Sequence, residues 1–267
     1  MNYQKDHYSH SARESFHSCG HKFKLERIDG RQSKLGYQAM IGIACGAFIG
    51  EFQKTRDLGS CLEVFRAEIA FQQDKHKLTL SAEDLAEISK EQAQLVGLGG
   101  LLFQYTKKLE ELEIIACEYP ISISVVGVSK PIVGFLDILA KDMSGKYIII
   151  DNKRRGRKGL QSSDYKQLSL YAIAVQKKFA LDYLPTCRID CFVMTKNPYI
   201  DIEVVPISAT DIGFMLDSFI RFDKSLAEEK YTKNPESFLC SEKFCSFHTE
   251  CFAEMADKNY LDKISVK

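Results

Sequence analysis

Ile132-Val-Gly-Phe-Leu-Asp-Ile-Leu-Ala-Lys-Asp-Met-Ser-Gly-Lys-Tyr-Ile-Ile-Ile-Asp-Asn-Lys153 is the stretch on which the fold turns. Residues 132–140 read as one β-strand and 147–153 as the next, with Gly145 supplying the tight bend between them. The run from Tyr147 to Ile150 is apolar enough for a strand covered on both faces. Side chains alternate along a strand, so Asp151 and Lys153 share a face. Asp137, placed near the end of its strand, is expected to meet Asp151 at the end of the next one.

Working outward, residues 114–126 and 187–195 carry the β-branched character of further strands, and 201–206 suggest a short edge strand. Helical spacing of apolar groups marks 38–56, 61–75, 82–112 (interrupted near Gly97), 163–179 and 209–230. Residues 8–30 read as a capped helix, a break at Gly20 and a second short helix, with Ser11 and Glu14 spaced as a capping box. The expected fold class is α/β in one domain: a mainly helical region over 1–112, a mixed α/β core over 113–206, and a C-terminal helix with a cysteine-bearing segment over 207–267.

Composition bounds the function classes. The 267 residues are 45% hydrophobic and 27% charged, with zero formal net charge, as expected of a soluble globular chain. No apolar run approaches the roughly 18–20 residues of a membrane span, and the first residues lack a secretory core, so no membrane partner and a cytoplasmic location are expected. Two local basic clusters stand out, Lys153, Arg154, Arg155, Arg157 and Lys158, and Lys22, Lys24, Arg27, Arg31 and Lys34. Either can track phosphates or be an ordinary solvated face. Of nine cysteines, Cys45, Cys61, Cys117, Cys187 and Cys191 have apolar neighbours and read as buried hydrophobes. Cys240, Cys245 and Cys251 fall within twelve residues of a polar segment, a spacing that suits metal ligation.

Two carboxylates beside an amine are costly near a core unless a cation compensates them. Oxygen ligands select Mg²⁺ or Mn²⁺, and such a site suits hydrolysis of a phosphodiester. An isolated Asp-x-Lys is more often a strand-end salt bridge, so its company decides. Gly134-Phe-Leu-Asp137, then Ile148-Ile-Ile-Asp-Asn-Lys153, then Gln167-Leu-Ser-Leu-Tyr171 resemble, in order and spacing, the successive motifs of the RecB-like branch of the PD-(D/E)XK nucleases. That resemblance implies a restriction-endonuclease-like core and a Mg²⁺- or Mn²⁺-dependent deoxyribonuclease, most simply an exonuclease. The implied catalytic set is Asp137, Asp151 and Lys153, with Gln167, Tyr171 and Glu118 bordering the site. DNA, as single strands or duplex ends, is the implied partner. The chain carries no helicase motif, so unwinding would fall to a helicase or recombination partner.

Ser9-x-Ser11, Phe16-x-x-Cys19 and Phe23 further resemble the N-terminal element of members of this branch that hold an iron–sulfur cluster, such as the CRISPR-associated RecB-like exonucleases, AddB-type nucleases and exonuclease V. By that resemblance Cys19, Cys240, Cys245 and Cys251 would ligate a 4Fe-4S cluster tying the chain ends together. Zinc is the alternative, with His17, His21 and His248 as spare ligands. Two positions depart from the family pattern. Cys240 and Cys245 are further apart than a C-x-x-C pair, and Gly46 stands where a metal-binding histidine is usual, leaving Glu51 as the expected substitute ligand. A DNA-binding subunit without catalysis and a cysteine–metal interaction module are the competing readings.

Overall fold

The computed structural model describes residues 3, 5–33, 36–97, 99–242 and 244–256. Five strands, β1 (Glu113–Ile123), β2 (Ile132–Lys141), β3 (Tyr147–Arg155), β4 (Thr186–Val193) and β5 (Tyr199–Val205), form a sheet in that spatial order. β1–β2, β2–β3 and β4–β5 are antiparallel, whereas β3–β4 is parallel. The parallel joint follows from the connection, because α7 (Ser162–Lys178) lies between those strands and supplies the crossover that parallel pairing requires.

Helices cover both faces. α1 (His10–Ser18), α7 and α8 (Ala209–Ala227) lie on one, where Leu168, Val175, Met215 and Phe219 share a core with Leu139, Ile149 and Ile189. α3 (Tyr37–Thr55), α4 (Leu58–His76), α5 (Ala82–Gly97) and α6 (Gly99–Glu110) lie on the other, where Phe48, Phe65 and Leu95 meet Ile138, Ile150 and Phe192. β3 shows why its sequence is a continuous apolar run: Ile149 enters the first layer while Ile148 and Ile150 enter the second. Each such burial contributes roughly 1.5–3 kcal/mol. This mixed sheet flanked by helices is the architecture that the sequence resemblance implies.

One departure from regular alternation positions the site. Ile138 and Ala140 face the α3–α6 layer, but Leu136 joins Leu139 in the opposite layer, so β2 turns over at Asp137. The β2–β3 ladder runs from Lys141–Tyr147 only as far as Ile138–Ile150. Beyond that pair β3 continues to Arg155 alongside β4 alone. The sheet thus forks, and Tyr8 occupies the far end of the gap, its N–H donating to Pro131 O and its carbonyl accepting from Val133 N, both at 2.8 Å. Asp137 and Asp151 therefore lie in mid-strand at the fork, not at strand ends as expected from the sequence.

Several local expectations change. The cap of α1 is Ser9, whose hydroxyl accepts from Ala12 N, and not Ser11. The helix break falls at Cys19, after which α2 (Gly20–Phe23) runs into a π-helical turn, Lys24–Ile28. A C-terminal helix, α9 (His248–Ala256), was not expected from the sequence. Cys45, Cys61, Cys187 and Cys191 are buried as expected, whereas Cys117 on the edge strand β1 is only half-buried. Gly145 has φ +78, as its turn requires. Among the described residues no helix is long and apolar enough to cross a membrane.

The Lys153–Lys158 cluster is not a single basic patch. Alternation sends Lys153 and Arg155 to the α7 face and Arg154 to the other, where each finds an acid: Lys153 with Asp151, Arg154 with Glu91, and Arg155 with Asp164. Arg157 and Lys158 are exposed. In the N-terminal cluster Lys22 pairs with Glu26, Lys24 with Asp29 and Arg31 with Glu250, and Lys34 lies outside the described residues.

Candidate active site

The fork brings two carboxylates near each other. The β2–β3 pairing stops at Ile138–Ile150, one residue short of Asp137 and Asp151, and the charge of Asp137 is felt at Asp151. There the backbone ladder gives way to a side chain, and Asn152 N donates to Asp137 Oδ2 at 2.7 Å. Lys153, two residues on from Asp151 and on its face, places Nζ 2.7 Å from Asp151 Oδ2. The same ammonium donates to Gln167 Oε1 at 2.8 Å, and Gln167 Nε2 donates to Tyr171 Oη at 2.9 Å. Gln167 and Tyr171 are one turn apart on α7, which lets a single helix face hold the lysine from behind.

Glycine at position 134 is explained by that helix. A Cβ there would lie 3.1 Å from Tyr171 Cε1 and 3.6 Å from the Ile121 side chain, so β2 and α7 approach closely only without one. Glu118, between the Cys117–Ile138 and Tyr119–Leu136 pairs, stands beside Asp137 on β1. It is exposed and has φ +52, a left-handed conformation that costs a non-glycine residue about 1–2 kcal/mol.

Asp151 is 2% exposed. Burial pushes its carboxyl up to about 6, against the pull of Lys153 and with a further push from Asp137. Burial likewise raises Asp137, opposed by the Asn152 N–H and Lys153 and reinforced by Glu118. Although Asp151 Oδ2 is within ion-pair reach of Lys153, it accepts no aligned hydrogen bond. A buried carboxylate oxygen short of partners, near a second carboxylate, fits a hard divalent cation. Among the described residues no group of three or more His, Cys, Asp or Glu side chains is already arranged to hold a metal ion.

Glu51 lies on α3, where its carboxylate accepts from Ser60 Oγ of α4 at 2.8 Å. His10 opens α1 just after the Tyr8 bridge, and its Nδ1 lies 3.3 Å from Arg13 Nη2. Burial first, then Arg13, Lys153 and Lys166, push it down to about 4 against the pull of Glu14, so it is neutral near pH 7. Sequence reasoning missed His10 and Arg13, although the Ser9-x-Ser11 spacing marked their segment.

The four cysteines expected to act together, Cys19, Cys240, Cys245 and Cys251, line one cavity of about 350 Å³. All are free thiols. Gly20 makes this meeting of chain ends feasible, since a Cβ there would lie 2.9 Å from Thr232 N. Backbone and side-chain bonds, His21 N to Thr232 O and Asn234 Nδ2 to Ser18 O, fasten the two segments. His21 and His248 line the same cavity, with His21 Nε2 and His248 Nδ1 buried and lacking hydrogen-bond partners. His17 does not; it lines a separate cavity.

No curated protein matches this chain. A solved protein from Eubacterium rectale, provisionally named an exonuclease, superposes with a TM-score of 0.59 at 11% identity, covering 88% of this chain and 87% of that one, a likeness of fold alone. SSO0001, at 16% identity over 88% of this chain and 94% of its own, reaches a TM-score of only 0.39 and carries no argument. The PD-(D/E)XK nuclease superfamily matches residues 7–252, a span that takes in α1, the forked sheet, α7 and the cysteine cavity, and the chain belongs to that superfamily.

Proposed function

We propose that this protein is a divalent-metal-dependent deoxyribonuclease, acting as an exonuclease on single strands or duplex ends, with its centre at Asp137, Asp151 and Lys153. The observation that carries the reading is the buried Asp151 carboxylate near Asp137 at the fork, with Lys153 held between Asp151 and Gln167. Asp137 and Asp151 would hold Mg²⁺ or Mn²⁺, which when bound supplies a Lewis acid for the phosphate and for an attacking water. Lys153 brings positive charge to the place where negative charge develops on the phosphate oxygens. Gln167 and Tyr171 fix the reach of that ammonium, and Glu118 adds an exposed carboxylate at the rim.

End-labelled DNA incubated with and without Mg²⁺ or Mn²⁺ tests this. Cleavage that needs the cation, and is lost in Asp151→Ala and Lys153→Ala proteins with unchanged circular dichroism, is expected. Cleavage retained by either variant refutes the assignment. Such an enzyme would serve recombination, repair, replication or the processing of foreign DNA, beside a helicase or recombination partner.

For the cysteine cavity we propose a 4Fe-4S cluster held by Cys19, Cys240, Cys245 and Cys251, because four free thiols from both chain ends line one space. Its role would be structural, closing the chain ends on each other. His21 and His248, with unpartnered ring nitrogens in the same wall, favour zinc as the second reading. A brown anaerobic preparation with four irons per chain supports the cluster, and a colourless one holding zinc supports the second reading.

A further inference from the structure

Arg13 is the largest feature that the proposed chemistry leaves unused. It is fully buried on α1, its Nη2 donates to Glu14 and lies 3.3 Å from His10 Nδ1, and the Phe219 ring sits 5.4 Å from its Cζ. Its Nε and Nη1 have no partner. Burying donors of a charged group unmet is expensive, and an apolar side chain of similar length would avoid the expense.

Arg13 is among the residues that line a cavity of about 450 Å³ between α1, α7 and α8. Lys166 of α7 and Arg221 of α8 add two cations to the same lining, with the hydroxyl-bearing Ser162 and Tyr165 between them. Lys166 reaches Glu14 only at 3.8 Å, and Arg221 holds Asp217 in an exposed pair, an arrangement easily exchanged for another anion. The one acid in the lining, Asp211, is turned to the cap of α8, where it accepts from Ser208 N and Oγ. The three cations are matched in number by Asp211 and the pairing acids Glu14 and Asp217, but the donors of Lys166 and Arg221 are of the kind that recognise phosphate oxygens.

Lys166 precedes Gln167 on α7, and His10 feels the charges of both Lys153 and Lys166. We propose that this cavity is a second phosphate subsite, in which Lys166 and Arg221 take one phosphate group of a nucleic-acid strand whose neighbouring part lies at Asp137 and Asp151, with the buried Arg13 guanidinium adding positive charge behind them. The proposal rests on the nuclease reading for the identity of the strand, but not for the presence of the subsite.

The test is made in EDTA, where nothing is cleaved. Binding of a fluorescein-labelled single-stranded DNA oligonucleotide is followed by anisotropy over a series of salt concentrations, and thermal melting is followed with added inorganic phosphate. Lys166→Gln and Arg221→Gln are each expected to weaken oligonucleotide binding about tenfold and to reduce the slope of log K against log salt by about one. Arg13→Met is expected to weaken binding while holding or raising the melting temperature, since a flexible apolar chain replaces unmet donors. Should Arg13→Met fail to fold, the Lys166 and Arg221 variants still decide. Wild-type affinity and salt slope in both of these variants overturn the subsite, even if DNA cleavage with Mg²⁺ is normal and the nuclease reading stands. Weakened binding in the variants of a protein that cleaves nothing with Mg²⁺ or Mn²⁺ keeps the subsite and sinks the nuclease reading. Stabilisation by inorganic phosphate with oligonucleotide binding unchanged in every variant assigns the cavity to the free ion and overturns the strand.

Discussion

Replacing Asp151 by asparagine should make the metal-free protein more stable, and the size of the gain follows from the cost of burying the carboxylate. The group sits 2% exposed and its carboxyl is raised from 3.8 to about 6. A folded-state value above the unfolded one means that the protonated form is preferred by the fold. Its contribution is fully present below about pH 4 and is lost as pH rises through about 6. Above that range the ionised carboxylate costs about 3 kcal/mol, from a shift near two units at 1.36 kcal/mol each. Asparagine keeps the shape without the charge, and because the shift already contains the pull of Lys153 at 2.7 Å, the net gain is expected at up to about 3 kcal/mol.

Melting of both proteins in EDTA from pH 3.5 to 8 is the assay. The two should coincide near pH 4, diverge towards pH 6 and then stay apart, with Asp151→Asn melting higher by roughly 2–4 °C per kcal/mol. Added Mn²⁺ should raise the melting temperature of the wild type and leave the variant nearly unmoved. A variant that melts below the wild type at pH 8 in EDTA would show that Asp151 is a satisfied structural carboxylate. The main argument for a cation at the fork would then be gone.

Other perturbations probe the surroundings of the pair. Gly134→Ala should cost about 1–3 kcal/mol in urea unfolding, because the new methyl meets the Tyr171 ring at 3.1 Å, and should slow cleavage per folded molecule as the Tyr171–Gln167 bond shifts. Glu118→Gly should hold or raise stability by up to about 1 kcal/mol by relieving its positive φ, while lowering activity if the carboxylate works at the rim. Gln167→Ala should leave folding intact but lower kcat, since Lys153 loses the 2.8 Å tether that sets its position. Cys251→Ser should lower the melting temperature and the bound iron or zinc while leaving cleavage per folded molecule nearly unchanged, as a role in closing the chain ends requires.

How much of this was legible depends on whether the cause is local. Alternation and turn chemistry are local, and they placed all five strands within a few residues of their observed ends. The i, i+2 relation of Asp151 and Lys153 and the i, i+4 relation of Gln167 and Tyr171 are local too, and both pairs are in contact. The basic run from Lys153 to Lys158 stays open in the sequence between a phosphate-tracking patch and a solvated face, because charge counted along the chain does not show that a strand deals successive residues to opposite faces and hence to different acids.

The fork itself could not be read from either strand, because it depends on a segment more than a hundred residues away. Tyr8 bonds to both flanks of Ile132, so β2 can leave β3 without exposing its backbone at that point. The same bridge fixes where α1 begins, since Ser9 must then cap the helix and His10 must open it. Its first turn consequently stands over the gap, carrying a neutral His10, which feels the charge of Lys153, and the unmet Arg13 behind it. A regular ladder would have given Asp137 a backbone role and left Asn152 N bonded to a carbonyl. The missing rungs turn Asp137 into the acceptor for Asn152 N, so the defect in the sheet and the placement of one of the two acids proposed to hold the metal have one origin.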